Sequence, residues 1–385
     1  MTREHDSPVR VGTLDGCMSK TLETTSGEPA VLGHGGRVLP AVTVDTYNEE
    51  LRDEEGFVGD RASGRAFRAI LDDWRERLHG QGEDPFGDTP TREISKAKLD
   101  AYLAGADPVA AGLVHTAVEE FAQELATVVR RFLRLKDWAD TERLVIGGGL
   151  SSSHMGQLAM GRASVILSGE SIALDLKAIT NHPDKAGLIG AVQLAPTWVL
   201  EGHDAIMAAD IGGTNLRVGI VELKIKKGEV SKAGVWKLLH WRHRDEGPTR
   251  DGAIDRMAEM AKELMEAAAG EKMKLAPFFG IGCPGLIDQN GVIQQGGQNL
   301  PGNWEGESFN LAQELAQRLP RIHGHEPLFV IHNDAVVQGL SEVPNMQDVR
   351  RWGVFTIGTG LGNARFTNRE RDDKPAKKDE KAGKK

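Results

Sequence analysis

The sequence predicts an α/β protein of two lobes or domains, and three observations carry that prediction. The chain has 385 residues, beyond the size at which a single hydrophobic core keeps growing. Short apolar, strand-like runs alternate along it with segments of helical period. Glycine is in excess, 46 residues or about 12% against a usual share near 7%, so many tight turns or phosphate-binding loops are expected.

Residues 1–56 read as a partly irregular lead-in arm. Apolar residues at helical spacing (Ala62, Phe67, Ile70, Leu71, Trp74, Leu78) predict an amphipathic helix over 61–78 that ends at Gly80-Gln-Gly82. Asp107-Pro108 is an acidic cap followed by proline at the first helical position, and the helix it opens runs through Val118, Phe121, Leu125 and Phe132. Residues 143–146 are a buried-strand signature breaking into Gly147-Gly-Gly149, as a strand enters a ligand-facing turn. Small apolar residues over 186–195 suit a helix packed closely on a neighbour. After a short bridge at 196–204, strands are expected at 205–209, 216–224, 277–283, 328–332 and 352–357, with a helix over 253–269.

Composition sets limits on function. No run of about 18 apolar residues could span a bilayer, and the polar start of the chain does not read as a secretory signal, so a cytoplasmic protein without a membrane partner is expected. Cys17 and Cys283 alone can build neither a disulfide framework nor a cysteine zinc site. A net charge of −9 argues against a nucleic-acid partner. Residues 370–385, almost wholly charged or small, read as a disordered tail.

Three motifs carry chemistry. Asp210-Ile-Gly-Gly-Thr-Asn215 lies where one strand turns into the next: Gly212 and Gly213 let backbone N–H groups approach a phosphate, Thr214 and Asn215 add donors, and Asp210 is placed to hold magnesium. A plain hairpin turn is the alternative. Gly358-Thr359-Gly360-Leu-Gly362 is a second strand-then-glycine loop, and the pair suits a two-lobed nucleotide clamp; the Gly-x-x-x-x-Gly-Lys loop of other ATPases is not in the sequence. Between them, His332-Asn333-Asp334-Ala335 ends an apolar strand. There Asp334 is either a general base for a hydroxyl or part of a helix cap.

Together with Cys283-Pro-Gly285 and Asn299-Leu-Pro-Gly302, these motifs follow the order and spacing of the amino-terminal half of ROK-family sugar kinases, and the chain resembles the glucokinase-like members of that family. The resemblance implies the actin-like ATPase fold, two α/β lobes around a central cleft, with ATP and Mg2+ as cofactors and a hexose as substrate. It implies Asp334 as catalytic base and Asn299 and Asn333 as sugar ligands. Nucleotide contacts would come from Asp210, Gly212, Gly213, Thr214, Asn215, Gly358, Thr359, Gly360 and Gly362, with Gly148 and Gly149 facing the same cleft. The family's Gly-Glu-x-x-Gly-His motif has its nearest counterparts in Glu28 and His34, candidate sugar ligands at altered spacing, for which a surface histidine is the alternative; Asp60 stands where many members place a sugar-binding glutamate.

Segments similar to the family's second half (57–64, the helix from Asp107, Ile146-Gly-Gly-Gly-Leu-Ser151 and 186–191) precede Asp210, so the chain looks circularly permuted. This order implies a large lobe from 57–185 and 335–369 and a small lobe from 186–334. The expected activity is ATP-dependent phosphorylation of a hexose, glucose first, with mannose, fructose or amino-sugar kinases and polyphosphate as donor left open. The rival from another class is a sugar-binding regulator derived from a kinase. Oligomeric state is open, a homodimer included.

Overall fold

The computed structural model describes residues 33–226 and 229–369; Glu28, Cys17 and the charged tail at 370–385 lie outside the described residues. Two five-stranded mixed sheets dominate a mixed α/β architecture. The first has the order Val42–Tyr47, Leu361–Asn368, Arg351–Ile357, Arg143–Gly147 and Asp175–Ala178. Its last three strands run parallel, and the other two turn back antiparallel. The second has the order Leu328–Asn333, Leu275–Cys283, Ala205–Ile211, Leu216–Lys226 and Glu229–Trp241, again three parallel strands followed by two antiparallel ones. The two sheets thus share one strand plan, and in each a hairpin joins the parallel part to the antiparallel part.

The elements form where the local chemistry favours them. Asp107 caps the helix Pro108–Leu133, its carboxylate accepting from the N–H groups of Val109 at 2.9 Å and Ala110 at 3.2 Å. The apolar face of this helix packs on Leu144, Ile146, Phe355 and Ile357 of the first sheet. The helix expected at 61–78 is Gly64–His79, preceded by a 3-10 turn at Val58–Ala62. Within the stretch read as a lead-in, Val42–Tyr47 is an edge strand of the first sheet: Val42 and Val44 alternate inward and pair with Asn368 and Phe366.

A third apolar cluster lies between the sheets. Val145, Trp352, Val354 and Phe366 of the first sheet meet Ile206, Ala208, Phe278 and Val330 of the second through the helices Pro183–Gly190 and Asp334–Leu340. Residues 143–195 and 205–369 therefore share a core. The two helices come close because Gly190 has no side chain: a Cβ there would lie 1.7 Å from the Val337 carbonyl oxygen. Among the described residues, no helix is long and apolar enough to cross a membrane.

Candidate functional site

The strand Ala205–Ile211 is buried along its whole length, and it delivers Asp210, 4% exposed, to the end of the second sheet. Arg217, directly opposite on the paired strand, donates to the Asp210 carboxylate at 3.3 Å and to Asp184 at 2.5 Å. Gly187 admits the carboxylate, since a Cβ there would sit 2.6 Å from Asp210 Oδ1. Burial pushes the Asp210 carboxyl above the usual range, Arg217 opposes the shift, and the Asp184 charge adds to it. Beyond Asp210 the hairpin tip is closed by the Gly212 N–H, which donates to the Asn215 carbonyl at 2.9 Å. His243 Nε2 lies 2.8 Å from the Gly212 carbonyl oxygen, and His240 Nε2 lies 2.9 Å from Asn215 Oδ1. The tip rests against Asn299, whose Cβ is 2.7 Å from where a Gly213 side chain would begin.

Asp334 follows a strand two places away in the same sheet, with Leu275–Cys283 between them. The strand Leu328–Asn333 pairs with Leu275–Cys283 in register from Leu328↔Phe278 to Asn333↔Cys283, then breaks into the helix Asp334–Leu340. The cap of that helix falls to Asn333. Asn333, 2% exposed, is the cap: its Oδ1 accepts from Ala335 N at 3.0 Å and Val336 N at 3.3 Å, while its Nδ2 donates to the Gly285 carbonyl at 3.0 Å. Asp334 turns into an open cavity. Burial and the charge of Asp210 push its carboxyl up to about 7, against the opposing pull of backbone N–H groups.

The first sheet supplies a second hairpin tip. Between Arg351–Ile357 and Leu361–Asn368, the Gly358 N–H donates to the Gly360 carbonyl at 3.0 Å, the Gly358 carbonyl accepts from Gly64 N at 2.9 Å, and Arg65 Nε donates to the Thr359 carbonyl at 2.8 Å. The adjacent strand end, Gly147-Gly148-Gly149, crosses close beneath. Gly148 has φ +81°, and a Cβ on it would lie 2.4 Å from the Ile357 carbonyl oxygen, so only glycine fits.

One cavity of about 1220 Å³ collects these parts. Asp210, Gly212, Gly213, Thr214, Asn215, Asn299, Asp334, Gly148, Gly149, Gly358, Thr359, Gly360 and Gly362 all line it, as does Asp60. Two expected sugar ligands lie elsewhere. Asn333 has its amide committed to backbone groups and is not among the lining residues. His34 packs beside Gly291, and its Nδ1 accepts from Ile331 N at 3.2 Å, away from the cavity. The sequence reading also missed the cations on the wall, Arg65, Arg68, Lys96 and Arg217 among them. Only Arg217 carried a usable signal, as the residue two beyond the Thr-Asn tip on the returning strand.

The carboxylates suit a hard divalent cation. Asp210 and Asp334 face one cavity, the charge of Asp210 disfavours that of Asp334, and magnesium is ordinarily held by one or two carboxylates with phosphate and water completing its shell. Among the described residues, no group of three or more His, Cys, Asp or Glu is arranged to hold a metal ion unaided. Cys283 is buried, and burial together with Asp334 and Asp210 pushes its thiol up, so it is no ready nucleophile.

Comparison with known proteins adds a partial likeness. The chain is 27% identical over 163 residues to a glucokinase of Thermotoga maritima, a stretch covering 42% of this chain and 44% of that relative. The match thus spans less than half of the relative's length. An exopolyphosphatase structure from Cytophaga hutchinsonii aligns at 15% identity over 42% of this chain and 51% of its own, with a TM-score of 0.25. No protein-family model matches the chain.

Proposed function

We propose that the chain is a hexose kinase of the glucokinase kind, transferring a phosphoryl group from magnesium-bound ATP to a sugar hydroxyl, built as a two-lobed actin-like ATPase with a circularly permuted chain. The observation that carries this reading is a half-buried carboxylate, Asp334, facing the same cavity as two glycine hairpin tips. The partial identity to a glucokinase supports it. The permutation draws support from the parallel pairing of Arg143–Gly147 with Arg351–Ile357 and from the core shared between the sheets. A hexose substrate, no nucleic-acid or membrane partner and a cytoplasmic setting belong to the same proposal.

In this reading Asp334 accepts the hydroxyl proton, and a carboxyl poised at about 7 matches that task near neutral pH. Asn299, against the first tip, orients the sugar, with Asp60 across the cavity. The tips at 212–215 and 358–362 hold phosphate oxygens by backbone and hydroxyl donors. Magnesium bound at Asp210 would neutralise phosphate charge. Arg217 opposes the burial that pushes the Asp210 carboxyl up.

A coupled ATP assay over a hexose panel, run with wild type and with Asp334→Asn, tests the proposal: phosphorylation of at least one hexose that collapses in the variant is the expected result. Wild-type protein that turns over no hexose refutes it. A second reading, a sugar-binding regulator descended from a kinase, is favoured by the loss of Asn333 and His34 from the cavity wall. Hexose binding without turnover would select it.

A further inference from the structure

Lys96 and Arg68 are cavity-wall cations for which the reaction as described has no use. Lys96 is the first residue of the helix Lys96–Leu103, where the helix dipole disfavours a positive charge. Its ammonium is held 2.5 Å from the Gly149 carbonyl oxygen, directly over the glycine turn that ends Arg143–Gly147. Arg68 donates to the carbonyls of Thr91 and Ile94, the segment leading into that same helix. Among the described residues neither cation forms an ion pair. The carboxylates whose charge reaches Lys96 are engaged elsewhere: Asp100 accepts from His154 N at 3.0 Å and Met155 N at 2.8 Å, and Asp184 is bound by Arg217. Burial and the charge of Arg68 both work against the Lys96 ammonium.

Two neighbouring cations without counter-ions give this stretch of the cavity wall a positive charge that suits an anion. A neutral sugar cannot supply it. The position identifies the anion's chemistry: Gly148 touches Ile357 at the root of the second phosphate tip, and Gly149 holds Lys96, so the cations continue the line of the glycine loops by one further step. We propose that Lys96 and Arg68 form a subsite for the phosphoanhydride chain of the donor, beyond the phosphoryl group that is transferred. The chain comes from a nucleoside triphosphate or from inorganic polyphosphate. The subsite rests on the phosphoryl-transfer reading of the cavity and is independent of the acceptor.

The test is calorimetric titration of the full chain, with magnesium and at fixed ionic strength, using tripolyphosphate in one arm and ADP in the other. Wild type, Lys96→Met and Lys96→Arg are compared, with thermal melting as the control for folding. Lys96→Met is expected to weaken binding about tenfold or more, the loss of one charge-assisted hydrogen bond, and Lys96→Arg to recover most of it at an unchanged melting temperature. Weakening in the ADP arm alone assigns the subsite to a nucleotide, and weakening of tripolyphosphate assigns it to a free phosphate chain. Equal affinity in wild type and Lys96→Met, or no binding of either ligand to wild type at millimolar concentration, overturns the proposal. If wild type phosphorylates no hexose yet the Lys96→Met loss persists, the sugar-kinase reading fails and the subsite stands.

Discussion

Asp334→Asn is expected to cut turnover by orders of magnitude and to stabilise the fold at once. The carboxyl has an ordinary value of 3.8 and is pushed up to about 7 in the folded chain. Between those two values the native state holds a proton that the unfolded chain has released, so stability falls as pH rises through that window. At 1.36 kcal/mol for each pH unit, the interval from 3.8 to about 7 amounts to about 4 kcal/mol. Wild type carries this whole cost above pH 7, and a neutral asparagine carries none of it. Taking about 2.1 cal/mol/K per residue for the unfolding entropy of a 385-residue chain, the variant should melt about 5 °C higher at pH 8. Below pH 4 the two should converge. Turnover should fall by about 10²–10⁴. Scanning calorimetry at pH 4, 6 and 8, paired with the coupled kinase assay, reads both effects. A variant that melts no higher than wild type at pH 8 would show that Asp334 is an ordinary hydrated carboxylate, and the base assignment would lose its electrostatic ground.

The remaining predictions concern pH, helix packing and capping. The wild-type kcat/KM should rise about tenfold per pH unit as Asp334 loses its proton and level off above about 7; a flat profile between pH 5 and 8 would rule out Asp334 as the base. Gly190→Ala places a Cβ 1.7 Å from the Val337 carbonyl oxygen and should cost about 1–3 kcal/mol, read as a lower urea midpoint; an unchanged midpoint would mean the two helices do not meet there. Asp107→Ala removes an acceptor that holds two N–H groups and should cost about 1 kcal/mol in the same measurement.

Features set by neighbours in the chain were legible in the sequence, and features set by distant partners were not. Asp107-Pro108 announces a helix because cap and first turn are local chemistry, and that helix begins at Pro108. The glycine tips and Asp334 were legible as a set of strand-end motifs, each weak alone, and all of them line one cavity. Val42–Tyr47 was hidden among polar residues, since what makes it a strand is its pairing with Leu361–Asn368, over 300 residues away. Glu229–Trp241 went unread because an edge strand needs apolar residues on one face only. His154–Gly169 is rich in glycine, serine and small residues, and it becomes helical by packing on Pro108–Leu133. In the site, Lys96 meets Gly149 across a separation of 53 residues, which no spacing rule anticipates. That Asn333 and not Asp334 is the N-cap depends on where the helix begins, which the sequence left open.

The strand Arg143–Gly147 finds its second neighbour only at Arg351–Ile357, and this sets an order of events for a chain growing from its amino end. The second sheet lies wholly within 205–333 and closes as soon as that stretch exists. The first sheet has to recruit both ends of the molecule, a closure that is slow because the loop to be bridged is long. Until residue 357 is made, the buried row Leu144, Val145 and Ile146 has one open backbone edge, an invitation to pair with another copy. The sheet assembled last is then the one that carries the second glycine tip, so the candidate cavity gains its full wall only when folding is complete.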